Sequence, residues 1–402
     1  MLKISEAAQH SLSSGLQDLG AGIDALRPMV DRHITRDRVE RYLKAISDTP
    51  APSTAASAMR APVLRALLDE DGALGGRLDL DANYANTGGT VLLTGAAAKA
   101  MPLWYFAHLD TISYLVSRSG GGRHRLVPFC YHLTRDGRRD ALCYRYDLHG
   151  GGYRAVAGGF LESDAGTPYF RPAEPSFVPE RGDRIVPVAA CTGTSDGHMT
   201  GHFDNAGGVA ALAVAAPVLA EAGFDAMLVF PDEEEGPPGS GNQIMGRGGS
   251  RIINGLRAPD LAVIVDMQQS GEGSLSDDVQ TNDVRLGHGA VLSEFSSLGR
   301  GAVTPPHLLG LSRLLVRLIG ERGVKVQEPL SSYTSRSDDV SVMLKTPNIL
   351  LLGFPGVDRH FDTGLPRANL DDIVNLSKAI VYTALLRPLV RSMSDRFGRS
   401  AP

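Results

Sequence analysis

The stretch "LVFPDEEEGPPGSG", residues 228–241, sets four carboxylates, Asp232, Glu233, Glu234 and Glu235, behind an apolar run. Adjacent acidic groups repel one another unless water or a cation compensates them. A solvated acidic loop is the ordinary explanation of such a run. A carboxylate cluster that holds metal is the sharper one, and the surrounding sequence has to decide. The residues before the acids, "FDAMLVF", are apolar on both faces, as are "APDLAVIVDMQ" and "TPNILLLGFPG". Strands of that kind lie inside a sheet covered by helices. "GTVLLTG" and "PLWYFAHLD" are further apolar runs of strand length, and helical patterns such as "NAGGVAALAVAAPVLAEAG" and "PHLLGLSRLLVRLIGERG" lie between the runs. The alternation predicts an α/β fold with a mixed, largely parallel central sheet flanked by helices.

Outward from that core, residues 1–48 carry helical periodicity, with Val39, Tyr42, Leu43 and Ile46 on one face, and Pro50 and Pro52 end the region. Residues 115–197 are rich in Gly, Arg, Tyr and Val, run in short alternating segments ("ALCYRYDLHGGGYRAVAGGF") and show no helical pattern. They read as a small β-rich domain inserted into the core. The expected division is an α/β domain from 1–114 and 198–402, with 1–35 as a helical extension, and an insert at 115–197.

The chain has 402 residues, 43% hydrophobic and 21% charged, with a formal net charge of −5. That mild acidity gives no electrostatic case for nucleic acid or an anionic membrane surface as a partner. No stretch of ~18 uninterrupted apolar residues occurs, so no transmembrane helix is expected. The N-terminus lacks the apolar run of a signal peptide. Cys130, Cys143 and Cys191 are scattered, which fits reduced thiols rather than disulfides or a zinc knuckle. The expectation is a soluble cytoplasmic protein.

The apolar runs lead into potential metal ligands. "WYFAHLD" ends in His108 and Asp110, Asp204 precedes a helix, the acidic run follows "LVFP", "AVIVD" ends in Asp266, and "LLLGFPGVDRHFD" leads to His360. In open α/β sheets the binding crevice lies beyond the carboxyl ends of the strands, so these groups can converge. Two imidazoles and three carboxylates suit two zinc-like cations with one carboxylate bridging them. Singly each has an ordinary explanation: a surface histidine, a helix cap at Asp204, a turn cap at Asp266. The joint pattern carries the inference.

This order of residues, with E-E-x-G set by Gly236, resembles the co-catalytic di-zinc aminopeptidases, and most closely the tetrahedral, glutamyl-type family with its cellulase-like relatives. The resemblance spans roughly residues 36–390, including the insert, where that family carries its oligomerisation domain, so a homo-oligomer is implied. It also implies that His108, Asp204, Glu234, Asp266 and His360 bind two divalent metals, zinc or else cobalt or manganese. Asp204 would bridge, Asp110 would orient the His108 imidazole, and Glu233 would act as general base. The register is open, because Glu234 and Glu235 can serve instead. Asp204-Asn205-Ala206 and "RHFD" depart from that family's usual motifs, which bears on substrate rather than on the ligands.

Other signals carry less. "GSGNQIMGRGGS" lacks a phosphate-loop pattern. His202 reads as structural or substrate-adjacent. Asp338 and Asp339 are candidates for a substrate amino group and equally for helix capping. Ser113, Cys130 and Cys143 lack a matched histidine and acid. The expected function is a metal-dependent amide hydrolase, an aminopeptidase acting on peptides. A small-molecule amidase or deacylase and a catalytically silent scaffold are the alternatives.

Overall fold

The structure, a computed structural model, describes residues 6–95, 101–118, 120–129, 136–194, 196–236, 246–272, 283–296, 301–329 and 337–398. Cys130 and the glycine-rich segment up to residue 245 lie outside them.

Three helices come first: α1 (Glu6–His33), α2 (Arg36–Ser47) and α3 (Ala56–Glu70). Strands β1 (Leu78–Asp81), β2 (Thr90–Thr94) and β3 (Leu103–Phe106) follow. Six strands, β4 (Ser113–Arg118), β5 (His124–Phe129), β6 (Gly137–Asp147), β7 (Gly152–Asp164), β8 (Thr167–Pro172) and β9 (Arg184–Pro187), then close an antiparallel barrel. After β10 (Thr192–Gly193) and β11 (His198–Thr200), α4 (Phe203–Glu221) and β12 (Ala226–Phe230) re-enter the core. Next come α5 (Arg247–Ile253), β13 (Leu261–Gln269), β14 (Ala290–Ser293), α6 (Pro306–Gly320) and β15 (Val326–Gln327). The chain finishes with α7 (Asp339–Val342), β16 (Ile349–Val357), β17 (Arg367–Asn369), α8 (Leu370–Thr383) and α9 (Arg387–Gly398).

Among the described residues the large sheet has 11 strands, with the path β1-β2-β12-β3-β13-β16-β17-β11-β10, β14 beside β16 and β15 beside β14. The fold is α/β, as the alternation predicts. The parallel character is concentrated in the centre, where β12, β3, β13 and β16 run parallel, while the flanking strands pair antiparallel. β10, inside the stretch expected as insert, pairs with β11 of this sheet and does not belong to the barrel.

Alternate residues of the central strands feed two apolar layers. Leu103 and Tyr105 face the layer that holds α4 and α8, whereas Trp104 and Phe106 face the one that holds Ile252 and Ile253 of α5 and Val342 of α7. Helices on both faces are why these strands carry no polar alternation. β3 is the switch point: the next parallel strand along the chain, β12, lies on one side of it and β13 on the other. All four parallel strands therefore deliver their carboxyl ends to one crevice.

α4 is buried at every residue from Phe203 to Ala220. A helix apolar all round belongs inside a core. By length and hydropathy alone α4 and 370–393 could cross a membrane, yet 100% and 67% of these windows are buried in the fold. Glycine lets α4 approach β16: a Cβ on Gly207 would stand 2.4 Å from Phe354 Cζ, at the face of a ring. Gly207→Ala should therefore cost roughly 1–3 kcal/mol, read as a lower thermal midpoint. An unchanged midpoint would show that the ring relocates freely.

Candidate metal centre

Asp204 sits in the first turn of α4, but its backbone is not helical (φ −84°, ψ 101°). Asn205, equally non-helical, secures that kink: its Nδ2 donates to the Val265 carbonyl (2.7 Å), and its Oδ1 accepts from the Gly208 N–H (3.1 Å). Asp204 is thus aimed away from the capping role open to it in the sequence. Its Oδ1 lies 3.2 Å from His108 Nε2 and its Oδ2 3.1 Å from His360 Nε2. One carboxylate spans two imidazoles.

Around each imidazole stand further carboxylates. His108 Nε2 is 3.6 Å from Asp266 Oδ1 and 3.7 Å from Glu234 Oε2, and His360 Nε2 is 3.5 Å from Glu235 Oε2. Two sets of ligand atoms, His108–Asp204–Glu235 and His108–Glu234–Asp266, each fall within 4.8 Å of one another, and every member is buried. The structure thus brings together His108, Asp204, Glu234, Asp266 and His360, and adds Glu235.

The four acids of the opening stretch do four different things. Asp232 accepts the Thr54 and Ala56 N–H groups (2.8 and 3.0 Å) and so caps the start of α3. Glu233 takes a left-handed backbone (φ 63°), which turns its side chain out of the cluster to Arg251 (2.5 Å) and Arg247 (3.2 Å). Glu234 and Glu235 point inward. The E-E-x-G spacing puts base and ligand at Glu233 and Glu234; in the structure the inward pair stands one residue later. The signal for that was present in the run, but the backbone turn at Glu233 that selects it is not visible in the sequence.

Asp110 also departs from expectation. His108 Nδ1–H donates to the Asp110 backbone carbonyl (3.0 Å), with the carboxylate farther at 3.5 Å. The carboxylate itself accepts the Ser53 hydroxyl (2.6 Å) and the N–H groups of Glu234 (3.0 Å) and Glu235 (3.3 Å). It therefore orients the acidic loop as well as the imidazole's surroundings. His202 is structural: its Nε2–H donates to the Pro187 carbonyl (2.9 Å), and burial pulls its pKa down to about 4, so the ring is neutral. Arg359 is a buried cation that sequence reading passed over, with Nη1 3.8 Å from Asp204 Oδ2. Asp338 and Asp339 separate. Asp339 is used up by Ser296 (2.5 Å), Ala302 N–H (2.6 Å) and Ser337 N–H (2.7 Å). Asp338 makes no capping bond, and neither of its buried oxygens has a hydrogen-bond partner among the described residues.

Electrostatically the centre is short of positive charge. Burial pushes Glu234 and Glu235 well above the usual carboxylate range, reinforced by Asp266 at Glu234 and Asp204 at Glu235. Burial also opposes ionisation of Asp204, but hydrogen bonds from His108 and His360 outweigh it and hold that carboxyl well below its ordinary value. Burial works against protonation of His108, yet Glu234 and the neighbouring aspartates raise it well above normal. The residues thus fit divalent cations: buried oxygen and nitrogen donors, a carboxylate shared between two imidazoles, and a Glu235 Oε1 with no hydrogen-bond partner among the described residues.

The profile of Peptidase family M20/M25/M40 matches residues 178–386, more than half of the chain. The chain belongs to that family. The match contains Asp204, the acidic run, Asp266 and His360. Solved structures share the fold of this peptidase-family member at low identity. An aminopeptidase from the archaeon Desulfurococcus kamchatkensis superposes with a TM-score of 0.71 at 16% identity, covering 91% of this chain and 99% of that one. Pyrococcus horikoshii TET1 peptidase, described as assembling into a tetrahedron or a large octahedral shell, gives 0.65 at 17% identity, covering 86% and 99%. A Thermotoga maritima protein described as an endoglucanase gives 0.58 at 16%, covering 87% and 99%. No curated protein matches the chain in sequence.

Like charges crowded without a cation strain the metal-free protein. Glu235→Gln should therefore raise the thermal midpoint of chelator-treated protein while reducing the gain on adding zinc. Scanning calorimetry with and without chelator checks both. A lower apo midpoint would show that Glu235 stabilises the fold without metal.

Proposed function

We propose that this peptidase-family member is a two-metal aminopeptidase. The observation that carries the reading is Asp204, whose two oxygens face two different histidines. His108, Asp204 and Asp266 would hold one cation, and Asp204, Glu235 and His360 the other. Zinc is the first candidate, with cobalt or manganese compatible with the same donors. Two such cations, when bound, act as a Lewis acid toward the scissile carbonyl and bring the pKa of water toward neutrality. Glu234, inward-facing beside His108 and Asp266, takes the proton of the attacking water and passes it to the departing amine. Asp110 keeps Glu234 and Glu235 in register through their N–H groups, and Glu233 anchors the loop to Arg247 and Arg251.

Asp338 supports removal of N-terminal residues in particular. It is a buried carboxylate without a hydrogen-bond partner among the described residues, close enough to His108 and Asp266 to interact with their charges. An α-ammonium group is the substrate feature that would satisfy it. Self-association through the barrel fits the exposed tip of the β6–β7 hairpin, where Tyr146 and Leu148 are 45% and 86% exposed. The dodecamer described for the related PhTET1-12s protein is a precedent in the same fold.

The test combines metal content with turnover of aminoacyl-anilides and their N-acetylated counterparts. Two metals per chain and hydrolysis of the free amines alone are expected. Glu234→Gln should lose on the order of 10²–10⁴ in kcat with metal content kept, whereas Glu233→Gln keeps most of the rate. If Glu233→Gln is instead the dead variant with both metals bound, the base belongs one residue earlier. Asp338→Asn should raise KM for free amines by about 10- to 100-fold and leave metal content unchanged. Equal cleavage of acetylated substrates would contradict the aminopeptidase reading.

A further inference from the structure

The loop that carries His360 is held from outside the catalytic layers. It leaves β16 at Val357 and places His360 between two non-glycine residues in the left-handed region, Asp358 (φ 56°) and Phe361 (φ 58°). Side chains disfavour that conformation, so it persists only where surrounding bonds over-determine it. Part of the bracing is internal. The Phe361 N–H donates to the Asp358 carbonyl (2.7 Å), and Asp358 Oδ1 accepts the Thr363 N–H (3.0 Å) and hydroxyl (2.6 Å). The barrel adds to it: Arg139 on β6 donates from Nε (3.2 Å) and Nη2 (2.8 Å) to the Phe361 carbonyl. The Phe361 ring packs with Ile112 and Ala189 where barrel and core meet, and lies 5.2 Å from the His202 ring.

We propose that Arg139 is a positioning residue for the His360 half of the centre, so that the barrel sets the affinity of one metal and not the other. The two halves are built differently. Asp266 lies within β13, paired with Gly353 of β16, and His108 follows β3 between Ala107 and Leu109, whose N–H groups donate to the Val229 and Pro231 carbonyls (3.1 and 2.7 Å). His360 hangs three residues beyond the end of β16, on a loop whose left-handed turn has a forked cationic donor on its carbonyl. A guanidinium fork fixes the direction of the carbonyl it holds, and hence the turn that aims the adjacent imidazole. Groups that orient a ligand in this way typically change metal affinity by about 10- to 100-fold when removed. Asp204 and Glu235 do not depend on Arg139, so the loss falls on the site that includes His360.

The inference rests on the two-metal reading, and one titration separates the two. Metal-free full-length protein is titrated with zinc under a competing chromophoric chelator, for wild type, Arg139→Ala and Arg139→Lys. Wild type should take up two equivalents in resolvable steps. Arg139→Ala should keep the first step unchanged and weaken the second by about 10-fold or more, with Arg139→Lys in between because one donor survives. Far-ultraviolet circular dichroism reports whether the barrel remains folded. Should Arg139→Ala unfold it, the Arg139→Lys titration alone decides. Two unchanged steps, or an equal fall in both, would overturn the positioning role. Fewer than two equivalents in wild type would instead overturn the two-metal reading.

Discussion

Asp204 is the one carboxylate on which the rest of the arrangement depends, because each of its oxygens meets a different imidazole. Placing it there imposes a constraint. Asp110, Asp204, Glu234, Glu235, Asp266 and Asp338 are all buried within one crevice, and buried charges of one sign are tolerated only with partners. Backbone N–H groups compensate some, Arg359 contributes one positive charge, and His108 is driven toward protonation by the acids around it. Divalent cations are what a cluster of that composition lacks. The structural investment follows: the kink stabilised by Asn205 at the start of α4, the parallel strands ending together, and two loops bent through left-handed residues at Glu233 and around His360.

Those two loops share a further property. Each is tied to an arginine that also reaches the barrel: Arg247 pairs with Glu233 and lies over the Phe129 ring (5.1 Å), and Arg139 holds the Phe361 carbonyl. The barrel is therefore mechanically continuous with the centre even though it supplies none of the clustered acids or imidazoles.

Much of this was legible in the sequence, for physical reasons that also explain what was not. Strands covered on both faces have to be apolar throughout, so "LAVIVD" and "ILLLGF" announce themselves. A strand end is a place where a buried polar residue needs a purpose, which made His108, Asp204, Asp266 and His360 readable together. The antiparallel margins of the sheet, such as β2 against β12 and β11 against β17, depend on pairing between distant segments, which no local pattern encodes. Which two of three glutamates face inward depends on one φ angle at Glu233. Asp338 and Asp339 are neighbours of the same type, and only the bonds made by Ser296, Ala302 and Ser337 tell them apart. Arg139 lies over two hundred residues from the carbonyl it holds, and no periodicity could have assigned it.

The most direct measurement is a crystal structure of zinc-loaded protein with anomalous data collected at the zinc edge. Two peaks roughly 3.5–4 Å apart are expected, one against His108 and Asp266, the other against His360 and Glu235, with Asp204 between them. A single peak, or a second metal coordinated by Glu233, would contradict that arrangement.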